Sequence, residues 1–248
     1  MPAMSAPQQE AWHALMDLQE LVPSNWCLVG GQMVHLHCAE RGGSPIRPTD
    51  DADTVVDVRT QPDILRTFTA ALTRLGFRAD TAGNGMQHRW KRDQAQIDVL
   101  IPEGVGERAG SRGGIQGAPT VAAPGTTQAL ARSAQVQVDV AGRVGAMRRP
   151  NLVGALVGKA AARVDLGSGG ASGRHCADFV VLAGLIAASD FRDEILTKKG
   201  PGTSEAHGQD LRHRPLRAQR RERAGALGPL GPRRDPWVSR PMWAVQRP

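Results

Sequence analysis

Residues 47–58, with the sequence RPTDDADTVVDV, place four carboxylates within eight residues and lead directly into valines. Valine is enriched in β-strands and aspartate is depleted from them, so the segment carries two opposed preferences. In a strand, alternate side chains lie on one face, which groups Asp51, Asp53 and Asp57 with Val55. Carboxylates that lie so close repel one another unless a cation lies between them. The segment therefore predicts a strand that begins at a cation site.

Short apolar strands and helices alternate around this segment. They are a helix over residues 8–21 with Trp12, Leu15, Leu18 and Leu21 at helical spacing, the strand NWCLVGG, the helix QMVHLHCAER, the helix PDILRTFTAALTRLGF and the hairpin HRWKRDQAQIDVLIP. Such an order predicts an α/β or α+β fold with a mixed sheet flanked by helices.

The second half of the chain has a different pattern. We expect a long loop over residues 103–128, and then a strand with alternate valines on one face in AQVQVDVAG. Two helices should follow, NLVGALVGKAAARVDL and RHCADFVVLAGLIAAS, joined by the flexible turn GSGGASG. We expect an α/β part over residues 1–145, a helical part over 146–199 packed on it, and an Arg-, Pro- and Gly-rich tail over 200–248. The composition of the tail predicts disorder. A nucleic-acid-binding arm and a shift of reading frame near Gly200 are the alternatives.

The charge and the apolar runs limit the possible partners and location. The tail contributes ten Arg against four acidic residues, so residues 1–200 carry about +1 of the formal charge of +7. The longest apolar run, FVVLAGLIAA, is half the length of a membrane span, which predicts that the protein has no membrane partner. Three widely spaced cysteines predict reduced thiols, and the N-terminus lacks the pattern of a signal peptide, so we expect a cytoplasmic protein.

A third carboxylate and a glycine pair complete the candidate site. In QIDVLIP, Ile97 and Val99 share one strand face and Asp98 lies on the other, where a neighbouring strand would place it beside Asp51 and Asp53. Three such carboxylates can hold two Mg²⁺ ions ~4 Å apart, as in phosphoryl displacement. Gly30–Gly31 joins a strand to a helix, where exposed backbone N–H groups suit a phosphate, although such a pair can also be a packing turn.

This ordered set of motifs resembles a known superfamily. LVGGQMVHLH, RPTDDAD and QIDVLI together resemble the polymerase-β-type nucleotidyltransferases. More narrowly, Arg47, Thr49, Asp51 and Asp53 are similar to the Arg-x-Thr-x-Asp-x-Asp motif of the AbiEii-type and MenT-type nucleotidyltransferases of bacterial toxin-antitoxin systems. The resemblance implies that Asp51 and Asp53 are metal ligands and that Asp50 is an intervening residue.

The resemblance extends to the helical half. RPNLVGALVGKAAARVD and RHCADFVVLAGLI resemble consecutive helices on which a Lys, an Arg and a later Asp recur, here Lys159, Arg163 and Asp178. It implies that Lys159 reaches the triphosphate. The alternatives are a lysine that extends its amine to solvent from a buried stem, and an Arg163–Asp178 ion pair with a structural role.

The resemblance implies a complete functional assignment. The protein would be a Mg²⁺-dependent enzyme, with two ions and with Mn²⁺ as an alternative, that transfers NMP from a nucleoside triphosphate to a hydroxyl of RNA, such as tRNA, or of a protein. It would be the toxin partner of a cognate antitoxin. The implied metal ligands are Asp51, Asp53 and Asp98, which with Lys159 are catalytic; the implied nucleotide-binding residues are Gly30, Gly31, Arg47, Thr49, Lys159, Arg163 and Asp178. An inactive binding module and a small-molecule (aminoglycoside-type) nucleotidyltransferase are the alternative functions.

Overall fold

The first helix begins at a serine that caps it. In the computed structural model of the protein, which describes residues 4–165, 170–192 and 194, helix α1 spans Ala6–Leu21. The Ser5 hydroxyl accepts a hydrogen bond from the Gln8 backbone N–H, and the Gln8 side chain accepts one from the Ser5 N–H, which forms a capping box. Trp12 and the leucines at 15 and 18 are fully buried, and Leu21, the last residue of the helix, is 37% exposed.

Six strands form the mixed sheet. They are β1 (Trp26–Val29), β2 (Ala52–Val56), β3 (Arg78–Asp80), β4 (Arg89–Arg92), β5 (Ala95–Pro102) and β6 (Val121–Ala123). The strand order is β1-β2-β5-β4-β3, and β6 pairs with the end of β5. Strands β2 and β6 run parallel to β5, whereas β1 is antiparallel to β2, β4 to β5 and β3 to β4. The predicted mixed sheet is confirmed.

The two faces of the sheet bury different residues. One face packs against α1 and against helix α3 (Ile64–Arg74), where the Trp26 and Phe68 rings lie 5.2 Å apart. The other face buries Cys27, Val29 and Val55. Because side chains alternate along a strand, Val55 and Asp53 share this second face. The carboxylates therefore project away from the α1–α3 side.

Helix α2 (Gly30–Arg41) follows β1 without an intervening loop and ends at Gly42 in a left-handed conformation. The segment predicted as a long loop over residues 103–128 instead contains helix α4 (Glu107–Gly110), strand β6 and the start of helix α5 (Thr126–Ala131). That prediction is wrong because elements of three to six residues are too short to show a period.

An antiparallel hairpin leads from the sheet to the last helices. Strand β7 (Ser133–Val140) was expected, and it buries Val138 and Val140. Its partner β8 (Arg143–Pro150) was not expected. The segment RVGAMRRP has no regular alternation, so its strand conformation comes from pairing with β7.

Two helices and a short turn end the described part of the chain. Helices α6 (Leu152–Asp165) and α7 (Gly170–Leu185) are followed by a 3₁₀ helix at Ala188–Phe191. Since α7 already begins at Gly170, four residues of the predicted GSGGASG turn are helical. The tail over 200–248 lies outside the described residues, and the division of the chain at residues 145 and 199 stays a prediction. Within the described ranges, no helix has both the length and the apolar character to cross a bilayer.

Candidate functional site

Three carboxylates converge where β2 begins. Asp51 immediately precedes β2, Asp53 is its second residue, and the parallel register pairs Asp53 with Asp98 of β5. One oxygen from each of the three carboxylates lies within 4.8 Å of the other two. An all-oxygen set of this kind suits a hard divalent cation such as Mg²⁺ or Mn²⁺. The sequence-predicted triad therefore lies together in space.

The peptide before β2 is held by buried polar side chains. Thr49 Oγ1 donates a 2.6 Å hydrogen bond to Asp51 Oδ1, and the Thr49 carbonyl accepts from the side-chain amides of Gln8 and Gln32, each at 2.6 Å. The Gln32 carbonyl oxygen in turn accepts from the indole N–H of Trp12. This network fixes the direction of the Asp51 carboxylate. It also places the Thr49 side chain next to the triad, in contact with Asp51.

Gly30 and Gly31 lie against the charged side chains of the site. A Cβ on Gly30 would be 1.8 Å from Asp53 Oδ2, and the φ of Gly30 is +69°. A Cβ on Gly31 would be 2.7 Å from the Thr49 side chain and 3.0 Å from Arg47 Nη2. The glycine pair is thus required because the start of α2 approaches these side chains closely. The backbone of Gly30 lies directly beside the Asp53 carboxylate.

We expect Gly30→Ala to destabilise the protein by ~2–4 kcal/mol, because the new methyl group overlaps Asp53 and the residue stays left-handed. Gly42→Ala is the matched control, since Gly42 has the same φ of +69° and no atom within 4 Å of its Cβ position. That control should cost ~1 kcal/mol. The measurement is the free energy of unfolding from denaturant titration. Equal losses in the two variants would contradict the close packing of Gly30 on Asp53.

Asp53 is the carboxylate with the most perturbed ionisation. Burial raises its pKa to about 7, and the adjacent negative charges of Asp51 and Asp98 act in the same direction. The positive charges of Lys159 and Arg47 oppose this increase without cancelling it. A bound cation would stabilise the ionised form, so the triad has the electrostatics of a cation site.

A second cluster joins Arg47, Lys159 and Asp178. The Arg47 guanidinium donates through Nε and Nη2 to the two oxygens of Asp178, at 2.9 and 2.8 Å, and Lys159 Nζ lies 2.8 Å from Asp178 Oδ2. Lys159 and Asp178 are 4% and 3% exposed. The cluster connects the segment before β2 to α6 and α7, and it keeps a net charge of one positive unit next to the triad.

Ionisation within this cluster follows from burial and pairing. Burial lowers the pKa of Lys159, although the charge of Asp178 opposes this. Burial alone would raise the pKa of Asp178, but the hydrogen bonds from Arg47 and the charge of Lys159 bring it below its usual value. Arg163 lies at an exposed position outside the cluster. The predicted Arg163–Asp178 pair is therefore wrong, because α6 turns Lys159 and not Arg163 toward Asp178.

Sequence reasoning missed the partner of Asp98. Arg89 of β4 donates through Nε and Nη2 to the two oxygens of Asp98, each at 3.2 Å, and the Gln96 side chain donates to Oδ1 at 3.3 Å. The antiparallel register places Arg89 directly opposite Asp98. The segment HRWKR is predicted only as one strand of a hairpin. Within it, Arg89 binds one of the triad carboxylates.

A cavity of about 390 Å³ opens beside Asp53. Small and apolar residues from α2, the β6–α5 segment and α6 line most of it, and its polar lining includes Gly30, Asp53, Thr126, Lys159 and His175. Its volume lies at the lower end of the range of small-molecule sites. A ligand in this cavity would contact the glycine turn, one triad carboxylate and the buried lysine at once.

Two solved structures are similar to this chain. The crystal structure of an antigenic nucleotidyltransferase-like protein from Paracoccidioides brasiliensis has a TM-score of 0.49 and 15% sequence identity, over 75% of this chain and 79% of that chain. The solution structure of the antibiotic-resistance factor ANT(2'')-Ia has a TM-score of 0.46 and 12% identity, over 75% of this chain and 88% of that chain. Neither a family model nor a curated protein matches the chain.

Proposed function

We propose that this protein is a metal-dependent nucleotidyltransferase that transfers NMP from a nucleoside triphosphate to an acceptor hydroxyl. The observation that supports the proposal best is the meeting of Asp53 and Asp98 on adjacent parallel strands with Asp51, which immediately precedes β2. The glycine turn and the cavity adjoin the same carboxylates. This combination provides a cation site next to a place for phosphate.

The three carboxylates would be the ligands of the divalent ions. Mg²⁺ or Mn²⁺, when bound, supplies charge neutralisation for the triphosphate and activation of the acceptor hydroxyl. Thr49 holds the Asp51 oxygen in place, and Gly30 lets Asp53 lie against the start of α2. Asp98 is the candidate to accept the proton of the acceptor hydroxyl. Rigid placement of these oxygens lowers the reorganisation needed during the reaction.

The triphosphate would lie between the glycine turn and Lys159. Gly30 and Lys159 line the cavity, and Gly30 begins α2, whose N-terminal N–H groups suit phosphate oxygens. Arg47 and Lys159 share one counterion in Asp178, so one positive charge remains for the phosphates. In this proposal Asp178 is a positioning residue, and Arg163 contacts the nucleotide from an exposed position on α6.

The acceptor and the biological role extend the proposal. We assign the acceptor to RNA, such as tRNA, or to a protein hydroxyl, and the role to the toxin of a toxin-antitoxin pair in the cytoplasm. The motif Arg47-x-Thr49-x-Asp51-x-Asp53 supports this assignment. A cognate antitoxin would then bind the protein and block transfer.

Label transfer tests the proposed activity. The purified chain is incubated with Mg²⁺, each of four α-³²P-labelled nucleoside triphosphates, and total RNA or soluble protein from a bacterial extract. We expect label in an RNA or protein band with at least one nucleotide, and no label after addition of EDTA. Asp50→Asn is the matched control, because Asp50 adjoins the triad in sequence but accepts from Ser5 at an exposed position.

The outcomes separate the alternatives. Transfer by wild type and Asp50→Asn but not by Asp53→Asn supports the proposal. When an aminoglycoside is added as a third acceptor, label in the drug adduct and in no macromolecule would identify a small-molecule enzyme. A folded wild type that transfers no label to any acceptor would contradict the enzymatic role and favour a binding module.

A further inference from the structure

Arg89 already places a cation against the triad. Its guanidinium contacts both oxygens of Asp98, and these hydrogen bonds raise the pKa of Arg89, with the charge of Asp51 acting in the same direction. The Arg89 side chain is 38% exposed, so it lies at the rim of the site and has space to move outward. A metal ion that used the Asp98 oxygens facing Arg89 would have to displace these hydrogen bonds.

The charges around the triad show what Arg89 changes. Three ionised aspartates carry three negative charges, and Arg89 reduces this to two. The cluster of Arg47, Lys159 and Asp178 adds one positive charge nearby. With its three aspartates ionised, the resting site then carries about one negative charge, so one divalent ion already brings it to about +1 and a second would bring it to about +3 until a triphosphate binds.

We infer that Arg89 occupies the position of the second metal ion, so that the resting protein binds one divalent ion and takes up the second with the nucleotide. This inference rests on the proposed function. Arg89 is here a positioning residue that sets the number of bound ions. Its release from Asp98 would accompany binding of the triphosphate, whose negative charge attracts the second ion and can also pair with the freed guanidinium.

The positions of side chains on β4 suggest which variants test this inference. Arg89→Gln removes the charge but keeps a polar side chain, and Arg89→Lys keeps the charge. Lys91→Gln is the matched control, because Lys91 lies on the same face of β4 two residues away and pairs with Asp80 at a half-exposed position. It removes the same charge without touching Asp98.

The measurement counts Mn²⁺ ions bound to the metal-free full chain by the loss of the free-ion EPR signal. We expect one ion in wild type, Arg89→Lys and Lys91→Gln, and two in Arg89→Gln, whose second ion should bind at least ~10-fold more tightly than in wild type. Wild type with a non-hydrolysable nucleoside triphosphate should bind two. This last comparison uses no variant and therefore does not depend on how a variant folds.

Two results would overturn the inference while leaving the metal site intact. They are two ions in wild type without nucleotide, and a single ion in folded Arg89→Gln. A wild type that binds no Mn²⁺, with or without nucleotide, would instead overturn the proposed function and the role of Arg89 together.

Discussion

Asp53→Asn should make the metal-free protein more stable at pH 8 while it lowers nucleotidyl transfer ~10³-fold or more. The loss of activity follows because Asp53 is the triad carboxylate that also lines the cavity. The gain in stability follows because the ionised Asp53 is partly buried beside two like charges. A single replacement thus has opposite effects on stability and on function.

The pH dependence fixes the sign of this effect. The pKa of Asp53 is about 7 in the folded protein, against about 3.9 for an ordinary aspartate. Between these values the folded state binds more protons than the unfolded state, so the contribution of Asp53 to stability falls as the pH rises from about 4 to about 7. At pH 8 the neutral amide should gain on the order of 2–4 kcal/mol over wild type, and near pH 4 the two should be equal.

Denaturant titrations in EDTA at pH 4.5 and pH 8 measure the difference. Asp57→Asn is the control with the opposite sign: burial alone would raise the pKa of Asp57, but hydrogen bonds from Thr60 and Arg59 lower it, so its removal should destabilise the protein at pH 8. Saturating Mg²⁺ should stabilise wild type and not Asp53→Asn. Equal stability of wild type and Asp53→Asn at both pH values would contradict the assigned electrostatics.

Asp178→Asn should destabilise the protein by ~3–5 kcal/mol. The amide would leave Arg47 and Lys159 without their shared counterion, and Lys159 is buried. Removal of one partner from a buried ion pair costs this much because the remaining charge stays desolvated. The loss should be largest at neutral pH and should shrink at low pH, since the pKa of Asp178 is below its usual value and protonation of wild type removes the same charge.

Asp80→Asn is the matched control for this replacement. Asp80 also pairs with a lysine, Lys91, but both side chains are about half exposed. Removal of such a solvent-exposed pair should leave the free energy of unfolding nearly unchanged. Denaturant titration of both variants at pH 7 makes the comparison. If Asp178→Asn lowered the free energy of unfolding no more than Asp80→Asn, the Arg47–Asp178–Lys159 cluster would not stabilise the fold.

The sequence predicted the site best where the residues of a single strand show which side chains share a face. Asp53 and Asp98 were predicted to meet because each places a carboxylate in an otherwise apolar strand, on the face away from the core. The structure pairs the two residues in the parallel register of β2 and β5. The glycine turn was predicted from its place between a strand and a helix. The reason for it, contact of Gly30 with Asp53, required coordinates.

The partner of Asp98 was within reach of the sequence. A two-residue turn at Asp93–Gln94, with Asp93 at a φ of +48°, joins β4 to β5. Such a turn fixes the register of a hairpin, so counting outward from it places Arg89 opposite Asp98. The hairpin was predicted without its register, so Arg89 was not paired with Asp98.

The second cluster was out of reach for a physical reason. Arg47 and Asp178 are 131 residues apart, and their meeting depends on how α7 packs beside α2 and α6. Lys159 and Arg163 lie four residues apart on α6 and so share one side of the helix, but this spacing does not say which of them faces a neighbouring element. Packing turned Lys159 inward and left Arg163 exposed.

The most direct measurement of the central claim compares transfer from α-labelled and γ-labelled forms of the same nucleoside triphosphate, with wild type and Asp53→Asn side by side. Nucleotidyl transfer breaks the bond between the α and β phosphates, so wild type should place the α label on the acceptor and release the γ label in pyrophosphate, and Asp53→Asn should do neither. Appearance of the γ label on the acceptor, or α-label transfer that persists in Asp53→Asn, would contradict nucleotidyl transfer at the Asp51, Asp53 and Asp98 site.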